Sequence, residues 1–300
     1  MGYSPNLIAR NLSARKTNTI GVVVPKVAHY FFGSIIEHIY NIAFEKGYEI
    51  ILTVSQENAE LEKKQIQTLL SMKVDGIIIS ISRETSDYEI FNLVKRRGVP
   101  IVFIDRVPEM KNVNTVAVDD YAGAYKAVKH AISLGYKKIA HFAGRQNVNI
   151  GHERSRGFYD AMKDSNIKVN PDWVIEGGFD ENSGYTAFLK LHEAGNLPDF
   201  IFAVTYPVAL GIYRAASELG INIPYDLDVL CFGNAETQTF LKPALSCIDQ
   251  PTDLLAQKAM DLLLANITNS DPQKPRHEVI ETNLILRKTA LTNKQTNNVA

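Results

Sequence analysis

The side chains best placed to do chemistry in this chain follow short apolar runs. Asp105-Arg106 ends the run 99–104, pairing a carboxylate, which accepts two hydroxyl hydrogen bonds, with a guanidinium, which donates a planar fork. The same pair suits an internal ion pair. Phe31-Phe32 follows the run 20–24 and offers aromatic faces to a sugar ring or a base, or else to the core. Phe179-Asp180 comes after 173–176, Thr205-Tyr206-Pro207 after 200–204, and Gly233-Asn234 after 228–232. Glu153-Arg154-Ser155-Arg156-Gly157-Phe158 opens a helical pattern. Aromatic faces with converging polar groups are what a site for a small hydroxylated molecule requires.

Catalytic signatures are missing. The chain contains no phosphate-binding loop, no G-x-G-x-x-G after a strand, no G-x-S-x-G elbow and no H-E-x-x-H. Its seven histidines are scattered, and His29/His38 and His141/His152 lack metal-ligand spacing, so neither a metal nor a cofactor is expected. His38 and His141 read as packing residues. Glu57, Glu60 and Glu62, with Lys63 and Lys64, read as a solvated helix face rather than an acid/base pair. An enzyme is not expected.

The elements that must position these residues alternate. Apolar runs at 20–24, 48–54, 74–81, 99–104 and 113–118 read as strands, separated by helical patterns at 31–45, 59–71, 88–97 and 121–133. The alternation restarts with strands at 137–143, 173–176, 200–204 and 228–232 and helices at 153–164, 184–192 and 208–218. A further helix at 253–264 and a strand at 279–286 follow. Near-continuous Val/Ile strands between helices imply α/β architecture with parallel sheets covered on both faces. Two such arrays in tandem imply two doubly wound lobes, whose ligands bind outside the carboxyl ends of the strands.

Bulk properties are consistent with a globular binding protein. Apolar residues make up 45% of the 300 and the net charge is −1, so any nucleic-acid contact has to be local. Cys231 and Cys247 lie in apolar runs and are expected as buried free thiols, although one disulfide is also compatible with a pair. No apolar run reaches the length of a membrane span, and no signal-peptide core opens the chain, so a cytoplasmic protein with no membrane partner is expected.

The N-terminal segment is different in kind. Ser4 can cap a helix with Pro5 at its first position, running to about Leu12 or Ser13, too short to be stable alone in water. Arg10, Arg15, Lys16 and Lys26 all precede the first acidic residue, Glu37. A basic, conditionally helical segment with protruding leucines suits a DNA minor groove, where apolar wedges unstack a base step; a frayed, solvated tail fits the same residues.

The run Tyr3-Ser4-Pro5-Asn6, then Ala9-Arg10-Asn11-Leu12, then Thr19-Ile20-Gly21 resembles the hinge region of LacI-type transcriptional regulators, the lactose, purine and catabolite repressor family. Further along, Val74-Asp75-Gly76-Ile77-Ile78, Asp105-Arg106, Glu153-Arg154 with Gly157, Ala209-Leu210-Gly211, Gly220 with Pro224, and Pro243-Ala244-Leu245-Ser246 resemble the same pattern, which extends from Tyr3 to about Arg287. The resemblance implies a periplasmic-binding-protein-like fold of type I, with crossovers near 143–145, 249–251 and 269–275. It implies a hinge at 1–19, an N-terminal lobe of 20–143 plus 250–272 and a C-terminal lobe of 144–249 plus 273–288; the polar stretch 289–300 reads as a disordered tail.

What the resemblance implies about function is an effector-sensing domain, most simply of a repressor. It would bind a sugar-like ligand between two lobes and couple their closure to operator affinity, as a homodimer. Ala9, Arg10, Leu12 and Ser13 would be the hinge contacts to DNA, with Leu12 intercalating. A helix-turn-helix head is expected upstream of Met1, which would mark a cloning boundary or a late start codon. Effector contacts would come from Phe31, Phe32, Ser80, Asp105, Arg106, Arg154, Phe179, Asp180, Thr205, Tyr206 and Asn234, with Arg154 as the clamp and Phe179 as the stacking ring. A transport or chemoreceptor sugar-binding protein is the alternative. Two positions depart from the pattern: Thr205-Tyr206 replaces the usual Asn-Asp, and Gly233 replaces the usual Asp. These changes point to a bulkier or less hydroxyl-rich ligand, or to an anionic one paired with Arg154.

Overall fold

The computed structural model describes residues 16–28, 30–268 and 274–292. The hinge positions Ala9, Arg10, Leu12 and Ser13 lie outside the described residues, as does the stretch 293–300.

In chain order the elements are β1 (Thr19–Val24), α1 (Tyr30–Glu45), β2 (Glu49–Val54), α2 (Ala59–Ser71), β3 (Gly76–Ile79), α3 (Glu89–Arg96), β4 (Ile101–Ile104), β5 (Asn114–Val118) and α4 (Asp120–Ser133). They continue with β6 (Ile139–Ala143), α5 (Asn149–Asp164), β7 (Val174–Glu176), α6 (Glu181–Glu193), β8 (Phe200–Ala203), α7 (Tyr206–Glu218) and β9 (Asp228–Phe232). Last come β10 (Ser246–Asp249), α8 (Thr252–Thr268), β11 (His277–Ile280) and β12 (Asn283–Ile285). Two six-stranded sheets result, in the orders β11-β5-β4-β3-β1-β2 and β12-β10-β9-β8-β6-β7. Pairing is parallel at β1–β2, β1–β3, β3–β4, β4–β5, β6–β7, β6–β8, β8–β9 and β9–β10, and antiparallel at β10–β12. Each sheet therefore reverses direction of growth once, beside β1 in one and beside β6 in the other. Such a switch point opens a crevice at the strand carboxyl ends.

Burial explains the strand composition. Every residue of β3, β4, β6, β8 and β9 is buried, which requires apolar side chains on both faces. Two glycines let helices approach closely. A Cβ at Gly21 would lie 2.7 Å from Leu69 of α2, and one at Gly76 would lie 2.8 Å from Leu263 of α8. Several helix starts are fixed by side-chain caps: Asn58, Asp119 and Asp180 accept from the backbone N–H of Leu61, Ala122 and Ser183.

The chain divides into two compact units, Met1–Ala117 with Thr252–Val279, and Val118–Pro251 with Ile280–Ala300. The first passage thus falls at 117/118, not near 143–145. α4 belongs to the second unit, where Gly157 of α5 meets it so closely that a Cβ there would sit 2.5 Å from the Tyr121 carbonyl. β6 pairs with β7 and β8 in the second sheet. The passage at 251/252 lies where expected, but the last falls at 279/280 rather than within 269–275. There the single strand expected at 279–286 is two, β11 at the edge of the first sheet and β12 at the edge of the second.

Thr289 and Ala290 are not part of a loose tail. Thr289 Oγ1 accepts from Ser246 N (2.8 Å), and Ala290 N donates to both oxygens of Asp228 (3.0 and 2.9 Å). Cys231 and Cys247 are buried free thiols on register-paired positions of β9 and β10. Burial pushes the Cys247 thiol up to about 11.

Candidate functional site

In the second unit, the carboxyl ends of β6, β7, β8 and β9 carry a continuous network. Arg154, in the second turn of α5, is 1% exposed. Its Nε and Nη2 donate to Asp120 Oδ1 (2.8 and 2.7 Å), and Nη1 donates to the Val204 carbonyl (2.6 Å). The guanidinium lies 3.7 Å from the Phe232 ring centroid. Burial lifts the Asp120 carboxyl above its ordinary range against the pull of Arg154. Thr205 Oγ1 donates to the Phe179 carbonyl (2.9 Å), and the buried Phe179 ring lies over Gly144, where any Cβ would come within 2.1 Å of it. The Tyr206 hydroxyl meets Thr237 Oγ1 at 3.0 Å. Arg154, Phe179, Thr205 and Tyr206 are thereby brought together, as expected.

Asp180 and Asn234 are each held by hydrogen bonds within the unit. Asp180 caps α6, accepting from Ser183 N and Oγ (3.0 and 2.8 Å). Asn234 Oδ1 accepts from Arg287 Nη2 at 2.5 Å, and the same guanidinium reaches Gln238 Oε1 (2.9 Å) and the Leu245 carbonyl (2.7 Å).

In the first unit, the strand ends carry Phe31 and Phe32, both buried and edge-to-face at 5.3 Å, and the buried Asp105, whose φ is +64°. Arg106 sits in a buried ion pair, with Nη1 donating to both oxygens of Glu57 (2.9 and 2.8 Å). The internal-pair reading of Asp105-Arg106 is therefore correct for the arginine, with a partner outside the dipeptide. Ser80 Oγ is fully buried with no hydrogen-bond partner among the described residues, and so is Ser55 Oγ just after β2.

Glu57 and Glu62 do not form a solvated face. Both are buried, and Glu62 accepts from Ser82 N (2.6 Å) and Thr85 Oγ1 (2.7 Å). Burial favours the neutral form of both. At Glu57 it is outweighed by Arg106 and Arg83, which hold the carboxyl below its usual range. At Glu62 burial wins and raises it to about 7. Glu60 is exposed, as expected. His141 is buried between the rings of Phe158 and Phe202, its Nδ1 bonded to the Phe202 carbonyl at 3.0 Å, and burial pushes it down to about 4. Its Nε2 has no partner among the described residues, so it is a packing residue only half satisfied there.

Sequence reasoning missed Asp120, Glu57, Phe232, Arg287 and Gln250. Gln250 is 6% exposed, its Nε2 has no partner among the described residues, and a Cβ built on Gly233 would lie 3.7 Å from its Oε1. In the sequence, Asp249-Gln250-Pro251 shows only as a break in the pattern. Asp120 follows a capping aspartate and carries no spacing signal toward Arg154.

A cavity of about 480 Å³ in the first unit lies elsewhere, where α2, α3 and α8 end. Lys16, Lys73 and Arg97 line it, cations that complement the negative ends of three helices. Its single carboxylate, Asp75, is occupied by Thr17 N, Thr17 Oγ1 and Asn18 N at 2.9, 3.0 and 2.8 Å.

Residues 17–288 match the family described as periplasmic binding proteins and sugar binding domain of LacI family. The chain belongs to this family. It is similar to the HTH-type transcriptional repressor PurR of Haemophilus influenzae (strain PittEE), 31% identical over 293 residues, covering 96% of this chain and 86% of that protein. A LacI family transcriptional regulator from Enterococcus faecium with bound ribose is 27% identical with a TM-score of 0.80, covering 92% of this chain and 99% of that one. The lac repressor dimer bound to operator and the anti-inducer ONPF is 25% identical with a TM-score of 0.84, covering 96% and 99%. The paired parallel-dominated sheets are the LacI-family core fold, and the chain is the effector-binding domain of a LacI-type transcriptional repressor. Among the described residues, no helix is long and apolar enough to cross a membrane.

Proposed function

We propose that this LacI-family chain senses a small sugar-like effector at the carboxyl ends of its strands and passes that binding on to operator DNA affinity. The observation that carries the reading is the Arg154 network: a guanidinium with almost no solvent contact, fixed by Asp120, Val204 and Phe232 beside Phe179 and Thr205. Side chains so constrained are preorganised for a ligand, which lowers the ordering cost of binding. The ribose complex of the Enterococcus faecium relative supports a sugar as the ligand class.

In the full-length protein, operator contact would run through Ala9, Arg10, Leu12 and Ser13, and the protein would act in the cytoplasm without catalysing a reaction. The operator-bound lac repressor dimer supports both this role and a homodimer. Tyr40 and Phe44 of α1 fit a homodimer contact, since they stack at 6.4 Å while 52% and 72% exposed. Thermal-shift titration with neutral pentoses, hexoses and disaccharides tests the effector reading. Saturation at about a hundred times the dissociation constant adds roughly 2.7 kcal/mol to stability. A flat response across the panel would count against it.

A further inference from the structure

The amino ends of the first sheet's strands gather charge of one sign. Strands β1 to β5 run parallel, and β11 joins them in the same direction, since Thr115 N donates to the Arg276 carbonyl (3.0 Å) and Asp119 N to that of Ile280 (2.8 Å). Residues just ahead of these six strands therefore share one end of the unit. Each strand is preceded within four residues by an exposed cation: Lys16, Lys46, Lys73, Arg97, Lys111 and Arg276. None of these six is in an ion pair among the described residues. The same stretches hold two carboxylates, Glu45 and Asp75, and Asp75 is taken up by Thr17 and Asn18.

Attraction of cations to helix carboxyl ends does not account for this pattern. Helices end ahead of β6, β7, β8 and β9 in the second sheet as well, yet only β6 and β10 of its five parallel strands follow a cation this closely. Asp172, Asp199 and Asp226 stand ahead of β7, β8 and β9. A chain with a net charge of −1 thus concentrates cations at one end of one unit, and three of them, Lys16, Lys73 and Arg97, share the 480 Å³ cavity.

That end is also where the N-terminal segment joins the unit. Leu12 is four residues from Lys16, and four residues span at most about 14 Å when fully extended. A duplex held by Leu12 accordingly runs close to this face, and it carries one negative charge per about 1.7 Å of its axis.

We infer that this face, centred on Lys16, Lys73 and Arg97, is a further DNA contact that holds backbone phosphates without reading bases. Contacts of this kind position a protein on the duplex and add affinity independent of sequence. The inference rests on the operator reading above and extends it from the hinge residues to the effector-binding domain itself.

The test is fluorescence anisotropy of this chain with a labelled duplex of about 30 base pairs, titrated from about 50 to about 200 mM salt. Each phosphate-bound cation lost flattens the plot of log affinity against log salt by about 0.9. Lys73→Gln/Arg97→Gln is expected to flatten it by about 1.8, and Lys137→Gln/Lys138→Gln, the matched pair ahead of β6, to leave it unchanged. Thermal midpoints within a few degrees of wild type show that both variants are folded. An unchanged slope for the first pair, an equal flattening by the second, or no DNA binding at the lowest salt overturns the inference. Leu12→Ala reports on the hinge separately. If it weakens binding while the Lys73/Arg97 pair does not, the operator reading stands and the inference falls; if only the pair matters, the hinge contact falls and the inference stands.

Discussion

Glu62 and Arg154 are both buried polar groups, yet they make different demands. Arg154 requires Asp120 beside it, paired at 2.7 Å with both side chains almost wholly buried. Removing one partner leaves an uncompensated buried charge, so Asp120→Asn should cost about 3–5 kcal/mol in urea unfolding. The apolar double variant Asp120→Leu/Arg154→Met should lose less than either single change. Glu62 prefers to be neutral, because burial raises it from 4.5 to about 7. Its contribution is fully present below about pH 4.5, declines as the unfolded chain ionises first, and levels off above about pH 7, a loss of about 3 kcal/mol. Glu62→Gln keeps an acceptor for Ser82 and a polar partner for Thr85, and should flatten thermal midpoint against pH between 5 and 7. An unchanged slope would assign the dependence to another group. Neither demand was legible in the sequence. Glu57 and Glu62 sit among lysines in a helical pattern, and only the loops 82–85 and 105–106 folding over them turn that face inward.

At the scale of elements, much of the fold was legible because strand burial and helix amphipathicity have different periods. Helix α2 and strand β9 have the expected bounds, and most other expected elements agree to within three residues at either end. Helices α5 and α8 are exceptions, the first beginning at Asn149 rather than at 153 and the second ending at Thr268 rather than at 264. Close helix contacts were not legible, since a glycine in a helix looks the same whether it faces solvent or a neighbouring backbone. Gly184 of α6 and Gly211 of α7 are reciprocal contacts: a Cβ on the first would lie 2.0 Å from the Val208 carbonyl, and one on the second 2.0 Å from that of Glu181. Gly33 of α1 has nothing within 4 Å of its missing Cβ. Gly184→Ala should therefore cost about 1–3 kcal/mol through forced separation of the helices. Gly33→Ala should stabilise by about 0.5–1 kcal/mol, as expected for an unhindered helix position. Chemical denaturation of both variants checks the contrast, and equal effects would refute the packing argument.

For the whole molecule, the sequence showed two α/β arrays but misplaced two of the three passages between them. The βα alternation continues unchanged across 117/118, so nothing periodic marks where α4 and β6 leave one sheet for the other. The edge strands β11 and β12 are four and three residues long, too short to be separated by pattern. Oligomerisation belongs to this scale. Phe44→Glu with Tyr40→Ser should lower the mass measured by light scattering from that of a dimer toward the monomer's 33.5 kDa, and a mass unaffected by both changes would place the contact elsewhere.

Effector sensing at the strand carboxyl ends is open to hydrogen–deuterium exchange with and without a pool of neutral, N-acetylated and uronic sugars. Slower exchange is expected at the segments carrying Gly144, Phe179, Thr205 and Gly233. No protection anywhere, or protection confined to the cavity lined by Lys16, Lys73 and Arg97, would contradict it.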